Sequence, residues 1–274
     1  VTVALSGDGA DEAFAGYRRH VFQHQEERLR GFIPAALRRS LLGPLARVWP
    51  QADWAPRPLR ARATLASLAR DGSIAYAEAV GVTAPNQRAR LFNDATRTAL
   101  GEHRGEARYW QAMADAPARE PLDRAQYADL KIWLPGDILT KTDRMSMAVS
   151  LEAREPLLDY RLVEFAASLP ASMRVAGGQG KAIMKRAMEP YLPRDILYRP
   201  KMGFVTPISA WFRGDLAQTA RDLAASATLS RSGWFDMAEV GRLVAAHQSG
   251  RRDHGRTIWQ MLMLEKALVR VFGL

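Results

Sequence analysis

Residues 1–17 read VTVALSGDGADEAFAGY, and their pattern changes from that of a strand to that of a helix at a Gly-rich turn. Residues 1–5 are β-branched or apolar, which predicts a buried strand that runs directly into a tight turn at residues 6–9. A helical pattern then begins at Asp11 and Glu12. Because a lone strand leaves its ladder groups unpaired, and a parallel partner requires a crossover unit, we expect the other strands to precede residue 1. The chain is therefore predicted to be a fragment.

The sequence after residue 10 is helical or irregular in pattern. Helical periodicity, or a plausible short helix, covers residues 59–70, 88–100, 107–114, 122–170, 216–229, 237–248 and 257–272, and a Pro-rich linker is expected at 53–58. Helices without further strands fit a helical lobe that packs against a sheet. The predicted fold is α/β and predominantly helical, with most of its parallel sheet missing upstream.

The composition of the 274 residues is that of an ordinary globular domain, with 47% hydrophobic and 25% charged residues. No window approaches 18 uninterrupted apolar residues, so no membrane span is expected, and the N-terminus does not resemble a signal peptide. The chain has no cysteine, which excludes disulfides, thiolate metal sites and a cysteine nucleophile within it. These features favour a cytoplasmic location.

The formal net charge is +10, which is a reason to consider nucleic acid as a partner. The positive charge is spread along the chain in short pairs such as Arg18-Arg19, Arg38-Arg39 and Arg251-Arg252. Single-strand binders usually interleave basic residues with aromatic ones, and no such run occurs here. We therefore expect solvated helix faces and no nucleic acid, with a basic helical nucleic-acid-binding module as the alternative.

The turn at residues 6–12, Ser-Gly-Asp-Gly-Ala-Asp-Glu, is the first candidate site. A strand, a Gly-rich turn and a helix N-terminus bring backbone N–H groups together and form an anion site at the carboxyl end of a strand. The carboxylates of Asp8 and Asp11 could bind a metal ion or a substrate amine. The alternative is a simple turn whose acidic residues cap the helix.

The second candidate is LPGDILTKTDRMSM at residues 134–147, continuing to LEAREPLLD at 151–159. Asp137 can cap a helix, and Lys141 four residues later can pair with it without any functional role. Met145 and Met147 are expected in the core. Four charged residues form a dense mixed set that suggests a buried ion-pair network holding a site in place, namely Glu152, Arg154, Glu155 and Asp159.

The third candidate is GKAIMKR at residues 180–186, followed by YRPKMGF at 198–204. Lys181 is predicted to start a helix, where a cation opposes the helix dipole, and a bound phosphate would resolve that conflict. The alternative is an exposed lysine on a first turn. Arg199 and Lys201 flank Pro200 and are either a phosphate clamp or part of a solvated loop.

The segments SGDGADEAFAGY, LPGDILTKTDRMSMAVSLEAREPLLD and GKAIMKRAMEPYLPRDILYRPKMGF, in this order, resemble the synthetase domain of glutamine-dependent asparagine synthetases. The resemblance implies an adenine-nucleotide α-hydrolase-like fold and makes residues 1–274 the C-terminal portion of that domain. It implies a carbon–nitrogen ligase that uses Mg-ATP to activate the aspartate side-chain carboxylate as an acyl-adenylate. Ammonia from glutamine, supplied by a glutaminase domain, then gives the amide. A homodimer is also implied.

The resemblance assigns roles to individual residues. Lys181 would neutralise the pyrophosphate as it leaves, and Asp8, where the family commonly has Glu, would orient the incoming nitrogen or take its proton. Asp11 is a candidate metal ligand as well as a binding residue. The remaining nucleotide-binding or substrate-binding candidates are Ser6, Gly7, Gly9, Tyr17, Asp137, Arg199 and Lys201.

Three departures from the family pattern matter. The glutaminase with its N-terminal cysteine is absent, and so is a pyrophosphate-gripping loop of the type Ser-Gly-Gly-x-Asp-Ser. We therefore expect this chain alone to be inactive, and a catalytically dead scaffold is a further alternative. The aspartate at position 8 leaves the identity of the acceptor acid open. Relatives that share this synthetase domain amidate other acids, including in exopolysaccharide gene clusters, or close β-lactam rings.

Overall fold

A computed structural model describes residues 1–49, 61–200 and 206–274. Contacts between Cα atoms divide the chain into two compact units. Unit 1 comprises Val1–Val80 and Gly105–Pro200, and unit 2 comprises Gly81–Arg104 and Lys201–Leu274. The linker predicted at 53–58 and the candidate Lys201 lie outside the described residues.

Unit 1 contains both strands and most of the helices found among the described residues. Its strands are β1 (Val3–Leu5) and β2 (Glu152–Arg154). Its α-helices are α1 (Ala10–Ala13), α2 (Arg18–Phe32), α3 (Ala35–Leu37), α4 (Gly43–Val48), α5 (Arg62–Leu68), α6 (Gly72–Val80), α9 (Ala107–Asp115), α10 (Pro121–Ala128), α11 (Thr140–Met147), α12 (Tyr160–Ser168), α13 (Ala171–Arg174), α14 (Ala182–Met188) and α15 (Arg194–Leu197). Two π-helical segments, Arg38–Leu42 and Asp129–Leu139, and a 3-10 turn at Pro156–Leu158 complete the unit.

All regular elements in the described part of unit 2 are helices, apart from one isolated bridge between Phe92 and Phe235. Its helices are α7 (Pro85–Leu91), α8 (Asp94–Leu100), α16 (Ile208–Trp211), α17 (Ala217–Ala224), α18 (Ala227–Ser232), α19 (Met237–Gln248) and α20 (Gly255–Phe272). They enclose one apolar core that includes the buried residues Phe212, Leu229, Val240 and Ile258.

The sheet of unit 1 differs from the prediction. β1 pairs in parallel with β2, with Val3 opposite Glu152 and Leu5 opposite Arg154, so one partner follows β1 in the sequence. Sequence periodicity missed β2 because three residues with two charged side chains carry no apolar alternation. The prediction of a buried strand is also wrong for this chain, since the Leu5 side chain is 75% exposed. Further strands upstream stay a prediction.

A nearly continuous helical run joins α10, the π-helical segment Asp129–Leu139 and α11. The wider π turns accommodate Pro135 inside the run, which a regular α-helix would not do without losing a hydrogen bond. Asp137 therefore lies inside a helix and does not cap one, contrary to the expectation. The predicted Asp137–Lys141 pair is present, with 3.5 Å between Lys141 Nζ and Asp137 Oδ2.

Two other expectations about this region are wrong. Met145 and Met147 are exposed, at 66% and 53%, and do not fill the core. The mixed-charge set at 152–159 is not a buried network, because Glu152 pairs with Arg154 at the surface and Asp159 pairs with an exposed Arg161. Charged side chains on the uncovered face of a strand remain in contact with water, so these ion pairs lie at the surface.

The core of unit 1 consists of small clusters that surround residues 10–17. Ala13 and Phe14 pack against Ala166 of α12, while Ala15 and Val21 pack against Leu122 of α10. These contacts fix the turn on the helical body. Among the described residues, no helix is both long and apolar enough to cross a membrane.

Candidate functional site

The turn after β1 is ordered by the carboxylate of Asp8. The Ser6 hydroxyl donates to Asp8 Oδ2 at 2.9 Å, and the Thr142 hydroxyl of α11 donates to the same oxygen at 3.0 Å. The Asp8 backbone N–H also lies 3.3 Å from Ser6 Oγ. Asp8 is therefore held in one orientation by a neighbour in the turn and by Thr142, which lies 134 positions farther along the sequence.

The two glycines of the turn have different surroundings. Gly9 has φ +87° and is buried, and a side chain there would meet Leu158 Cδ2 at 2.1 Å. The positive φ and this packing together explain Gly9 without a ligand. Gly7 is exposed, with no atom within 4 Å of the place where a Cβ would stand. Helix α1 after the turn has Gly9 at its N-cap position and no side-chain cap, so capping does not account for the acidic residues.

Lys181 reaches the turn from the other side. Its Nζ lies 3.1 Å from Asp11 Oδ1, and both side chains are 26% exposed. The lysine passes over Gly16, where a Cβ would lie 2.0 Å from Asp11 Oδ1 and 2.3 Å from Lys181 Cε. Only a glycine at position 16 leaves room for this ion pair.

The backbone on both sides of this contact is in an uncommon conformation. Ala15 and Lys181 have φ values of 55° and 56°, the left-handed region that non-glycine residues seldom occupy. The Lys181 N–H donates to the Phe14 carbonyl at 3.0 Å, and a Cβ on Gly180 would lie 2.0 Å from the Ala15 carbonyl oxygen. The start of α14 is thus docked closely on the segment that follows α1, and Lys181 occupies its predicted place at the start of a helix.

Tyr17 lies beside the turn and binds the carboxylate of Glu12. The Tyr17 hydroxyl donates to Glu12 Oε1 at 2.6 Å and accepts a bond from Trp133 Nε1 at 3.3 Å. Burial raises the pKa of Glu12, and the bond from Tyr17 opposes that shift in part. Burial, and then the bond to Glu12, raise the pKa of Tyr17 well above its usual range. The Arg19 guanidinium lies 3.8 Å from the centre of the Tyr17 ring.

Below this pair lies a buried carboxylate that sequence analysis did not single out. Asp129 is fully buried, and its Oδ2 lies 2.9 Å from the Arg19 guanidinium, 2.8 Å from His20 Nε2 and 2.7 Å from the Tyr76 hydroxyl. Tyr109 donates to the other oxygen at 3.2 Å. Burial raises the pKa of Asp129, but the bonds and charges of His20 and Arg19 outweigh it, so the pKa lies below its usual range.

A second buried group supports the backbone of α1. Gln126 Nε2 donates to the carbonyl of Glu12 at 2.5 Å and to that of Ala13 at 2.9 Å. Arg174, 1% exposed, in turn donates to Gln126 Oε1 at 2.5 Å and forms an ion pair with Asp123. The only sequence signal for these residues was polarity within otherwise apolar helical positions.

The remaining predicted site residues are not joined to the turn by the described contacts. Asp137 pairs with Lys141 and reaches the turn region only through its helical run, by way of Thr142. Arg199 is exposed in the segment that follows α15. Their assignment to the site stays a prediction.

The arrangement can bind a polar or anionic group. An ammonium, a hydroxyl and an open glycine lie around two fixed carboxylates. A ligand can therefore place a negative group against the ammonium and a positive group against a carboxylate. A resident metal ion fits less well. Asp11 is engaged with Lys181, and the described part of the chain holds no group of three or more His, Cys, Asp or Glu side chains placed to bind a metal ion.

Comparison with known proteins places this chain in a family. The family model described as "Asparagine synthase" matches residues 1–268. A Mycobacterium tuberculosis protein whose name assigns it provisionally as a glutamine-hydrolysing asparagine synthetase is 36% identical over 272 residues, which cover 96% of this chain and 38% of that protein. Asparagine synthetase 1 of Bacillus subtilis is 29% identical over 274 residues, covering 96% of this chain and 39% of its own length.

A more distant relative is the amidase chyE of Penicillium rubens, 24% identical over 86% of this chain and 37% of its own length. No solved structure matches the chain significantly. The chain spans less than two-fifths of the length of these relatives. The family model nevertheless covers nearly all of it, and the chain belongs to the asparagine synthase family.

Proposed function

We propose that this chain is part of an ATP-dependent, amide-forming ligase of the glutamine-hydrolysing asparagine synthase type. The observation that carries the proposal is the 3.1 Å contact between Lys181 Nζ and Asp11 Oδ1. It joins the Gly-rich turn and the helix-starting lysine, which lie far apart in the sequence, into one polar site. Membership of the family supports the reaction type.

The backbone strain at this contact supports a functional role. Each non-glycine residue in the left-handed region costs roughly 1–2 kcal/mol. Two of the three such residues in the described chain, Ala15 and Lys181, meet at this place. Strain of this kind persists where the surrounding structure holds it, and it is concentrated at ligand and active sites. The strain fixes the direction in which the lysine side chain leaves the backbone.

ATP fits the residues present in part. Gly7 leaves open space beside the Ser6 hydroxyl, and the Lys181 ammonium remains partly exposed. Ser6, Gly7 and Lys181 would hold the phosphates. When bound, ATP would supply the adenylyl group that activates a carboxylate and the pyrophosphate that leaves.

The roles of the chain's own residues follow from charge and position. The fixed ammonium of Lys181 would stabilise negative charge that develops on the leaving group, an electrostatic effect that often contributes about 2.7–4 kcal/mol. Asp8, oriented by Ser6 and Thr142, would accept a hydrogen bond or a proton from the incoming nitrogen. Asp11 would keep Lys181 in place until the anion arrives.

Magnesium is the cofactor that the described residues fit least. With Asp11 paired and no acidic group of three in the described chain, we assign Mg²⁺ no ligands and no step. The adenine-nucleotide α-hydrolase-like fold, the glutaminase that delivers ammonia, the homodimer and the cytoplasmic location all remain part of the proposal.

A second candidate concerns the acceptor. Asp8 is one methylene shorter than the glutamate common at this position, so its carboxylate stands farther from a ligand in the turn. A substrate bulkier than aspartate would fill the space between this shorter carboxylate and the ligand. The chain would then belong to a related amidotransferase that acts on another carboxylic acid. Competition between aspartate and larger acids in the amide-forming assay separates the two, and preference for aspartate would remove the second candidate.

The test of the proposal uses the full-length protein with ATP, aspartate and ammonia, and measures asparagine and pyrophosphate. Lys181→Ala should lower kcat about 10²–10³-fold, because a charge that acts on the transition state is lost. Lys266→Ala removes a lysine that is 67% exposed in unit 2 and should change nothing. Unchanged amide synthesis by Lys181→Ala would refute the assignment. Lys181→Arg, with its unfolding midpoint measured, separates loss of charge from loss of fold.

A further inference from the structure

A groove of about 720 Å³ lies within unit 2, and none of its lining residues belongs to the proposed catalytic site. One wall is α7, which presents Asn86 and Arg90 one helical turn apart. The other wall is α19, and the end is closed by the connection that leads to α20, which carries Arg251 and Arg252. The size suits a small molecule rather than a water cluster.

The lining of this groove is strongly positive. Four arginines face a single carboxylate, that of Glu239. Glu239 is already engaged, since its Oε2 lies 2.8 Å from Arg242 Nε. Within the described chain, the guanidinium groups of Arg90, Arg251 and Arg252 have no carboxylate at ion-pair distance, and all three side chains are exposed. Three guanidinium groups with fixed forks are suited to bidentate recognition of phosphate.

The connection that carries two of the arginines is ordered by hydrogen bonds. The Arg252 N–H donates to the Ala246 carbonyl at 3.1 Å, and the His254 N–H donates to His247 Nδ1 at 3.1 Å. The Gln87 amide lies 3.0 Å from His254 Nδ1 and ties this connection to α7. A ligand would therefore meet side chains on a backbone that needs no reordering, which lowers the entropic cost of binding.

His254 lies at the edge of the groove, and the charge of Arg252 affects its pKa. Burial, and then the charge of Arg252, lower the pKa of His254 below its usual value. The opposing carboxylates, Asp253 and Glu239, have smaller effects on that pKa. The lining, with four arginines and one glutamate, favours an anion over a cation.

We propose that this groove binds a small anion with at least two phosphate groups, through Arg90, Arg251 and Arg252. Singly charged carboxylates could use one guanidinium only, whereas adjacent phosphates can engage all three. The volume leaves room for a nucleoside or sugar attached to the phosphates. None of these three arginines is among the residues proposed to contact phosphates in unit 1.

The test is titration calorimetry at low ionic strength, with inorganic pyrophosphate and then ATP as probes. The chain carries Lys181→Ala, so that the proposed catalytic site does not contribute. Pyrophosphate should bind at one site, and Arg251→Ala with Arg252→Ala should weaken it roughly a hundredfold, about tenfold for each arginine. Tighter binding of ATP than of pyrophosphate would identify a nucleotide as the source of the phosphates. Equal affinities for ATP and pyrophosphate would show that the groove recognises only the phosphate groups.

The matched control is Arg221→Ala with Arg231→Ala, which removes two exposed charges from α17 and α18 of the same unit. This variant should bind pyrophosphate within about twofold of its parent, and both double variants should keep the parent's unfolding midpoint because the replaced side chains are exposed. Equal weakening by the two double variants would reduce the effect to net charge and overturn the proposal. Failure to bind pyrophosphate, or displacement of pyrophosphate from the groove by a single-stranded oligonucleotide at much lower concentration, would also overturn it.

Discussion

Replacing Asp129 by asparagine tests whether the buried carboxylate stabilises the helical body beneath the site. The substitution keeps the shape but removes the charge that faces the guanidinium of Arg19. It also places an amide N–H₂ where His20, Tyr76 or Tyr109 now point toward a carboxylate oxygen. Breaking a buried pair while leaving the other charge in place usually costs about 3–5 kcal/mol, and we expect a loss in this range.

The assay is urea unfolding followed by circular dichroism near neutral pH, with Asp143→Asn as the control because that carboxylate is exposed. The pKa of Asp129 is depressed in the folded state, so its stabilising contribution is complete above the unfolded pKa and is lost as the pH falls through the folded value. The difference between parent and variant should therefore shrink below about pH 4. A neutral-pH loss under about 0.5 kcal/mol, equal to that of the control, would refute this reasoning.

Three further predictions concern packing and protonation. Gly180→Ala should destabilise the chain by about 1–3 kcal/mol, because its Cβ would lie 2.0 Å from the Ala15 carbonyl oxygen, which cannot move aside as a side chain could. Gly241→Ala, inside α19 with nothing within 4 Å, should instead stabilise it by roughly 0.5–1 kcal/mol. His247 is fully buried and accepts a bond from the His254 N–H, and its pKa is lowered by burial. Its contribution to stability should be present above a pH of about 6.5 and be lost as the pH falls through the lower folded pKa.

Unfolding midpoints measured over a range of urea concentrations and pH values check all three. Equal effects of the two glycine substitutions would contradict the close docking of Gly180. For the histidine, His247→Gln should flatten the pH dependence of the midpoint between about pH 6.5 and 5. A profile that keeps its slope in that variant would assign the dependence to another group.

Local sequence patterns predicted the parts of the site that depend on residues close together in the sequence. The strand at the start of the chain, the turn with Ser6 and Asp8, and the helix that begins at Lys181 each have a signal within a few residues. The pair between Asp137 and Lys141 follows from helical spacing. The contact between Lys181 and Asp11 could be expected only by resemblance to a family, since no local rule connects them.

The structure departs from the prediction where distant residues decide the outcome. The Asp129 network draws on residues 20 to 110 positions away, so its members look like isolated polar residues in separate helices. β2 was hidden because Glu152 and Arg154 carry charge, and pairing with β1 overrode their low strand propensity. The π-helical segment around Pro135 and the division into two units likewise depend on packing, which periodicity does not report.

In the proposed function, Lys181 and the turn at residues 6–11 form one anion site. A crystal structure of the full-length protein with AMP and pyrophosphate tests it most directly. We predict a pyrophosphate oxygen within about 3 Å of Lys181 Nζ, a normal charge-assisted hydrogen bond, with the anion next to Ser6 and Gly7. Pyrophosphate bound elsewhere, with Lys181 still paired only to Asp11, would contradict the claim.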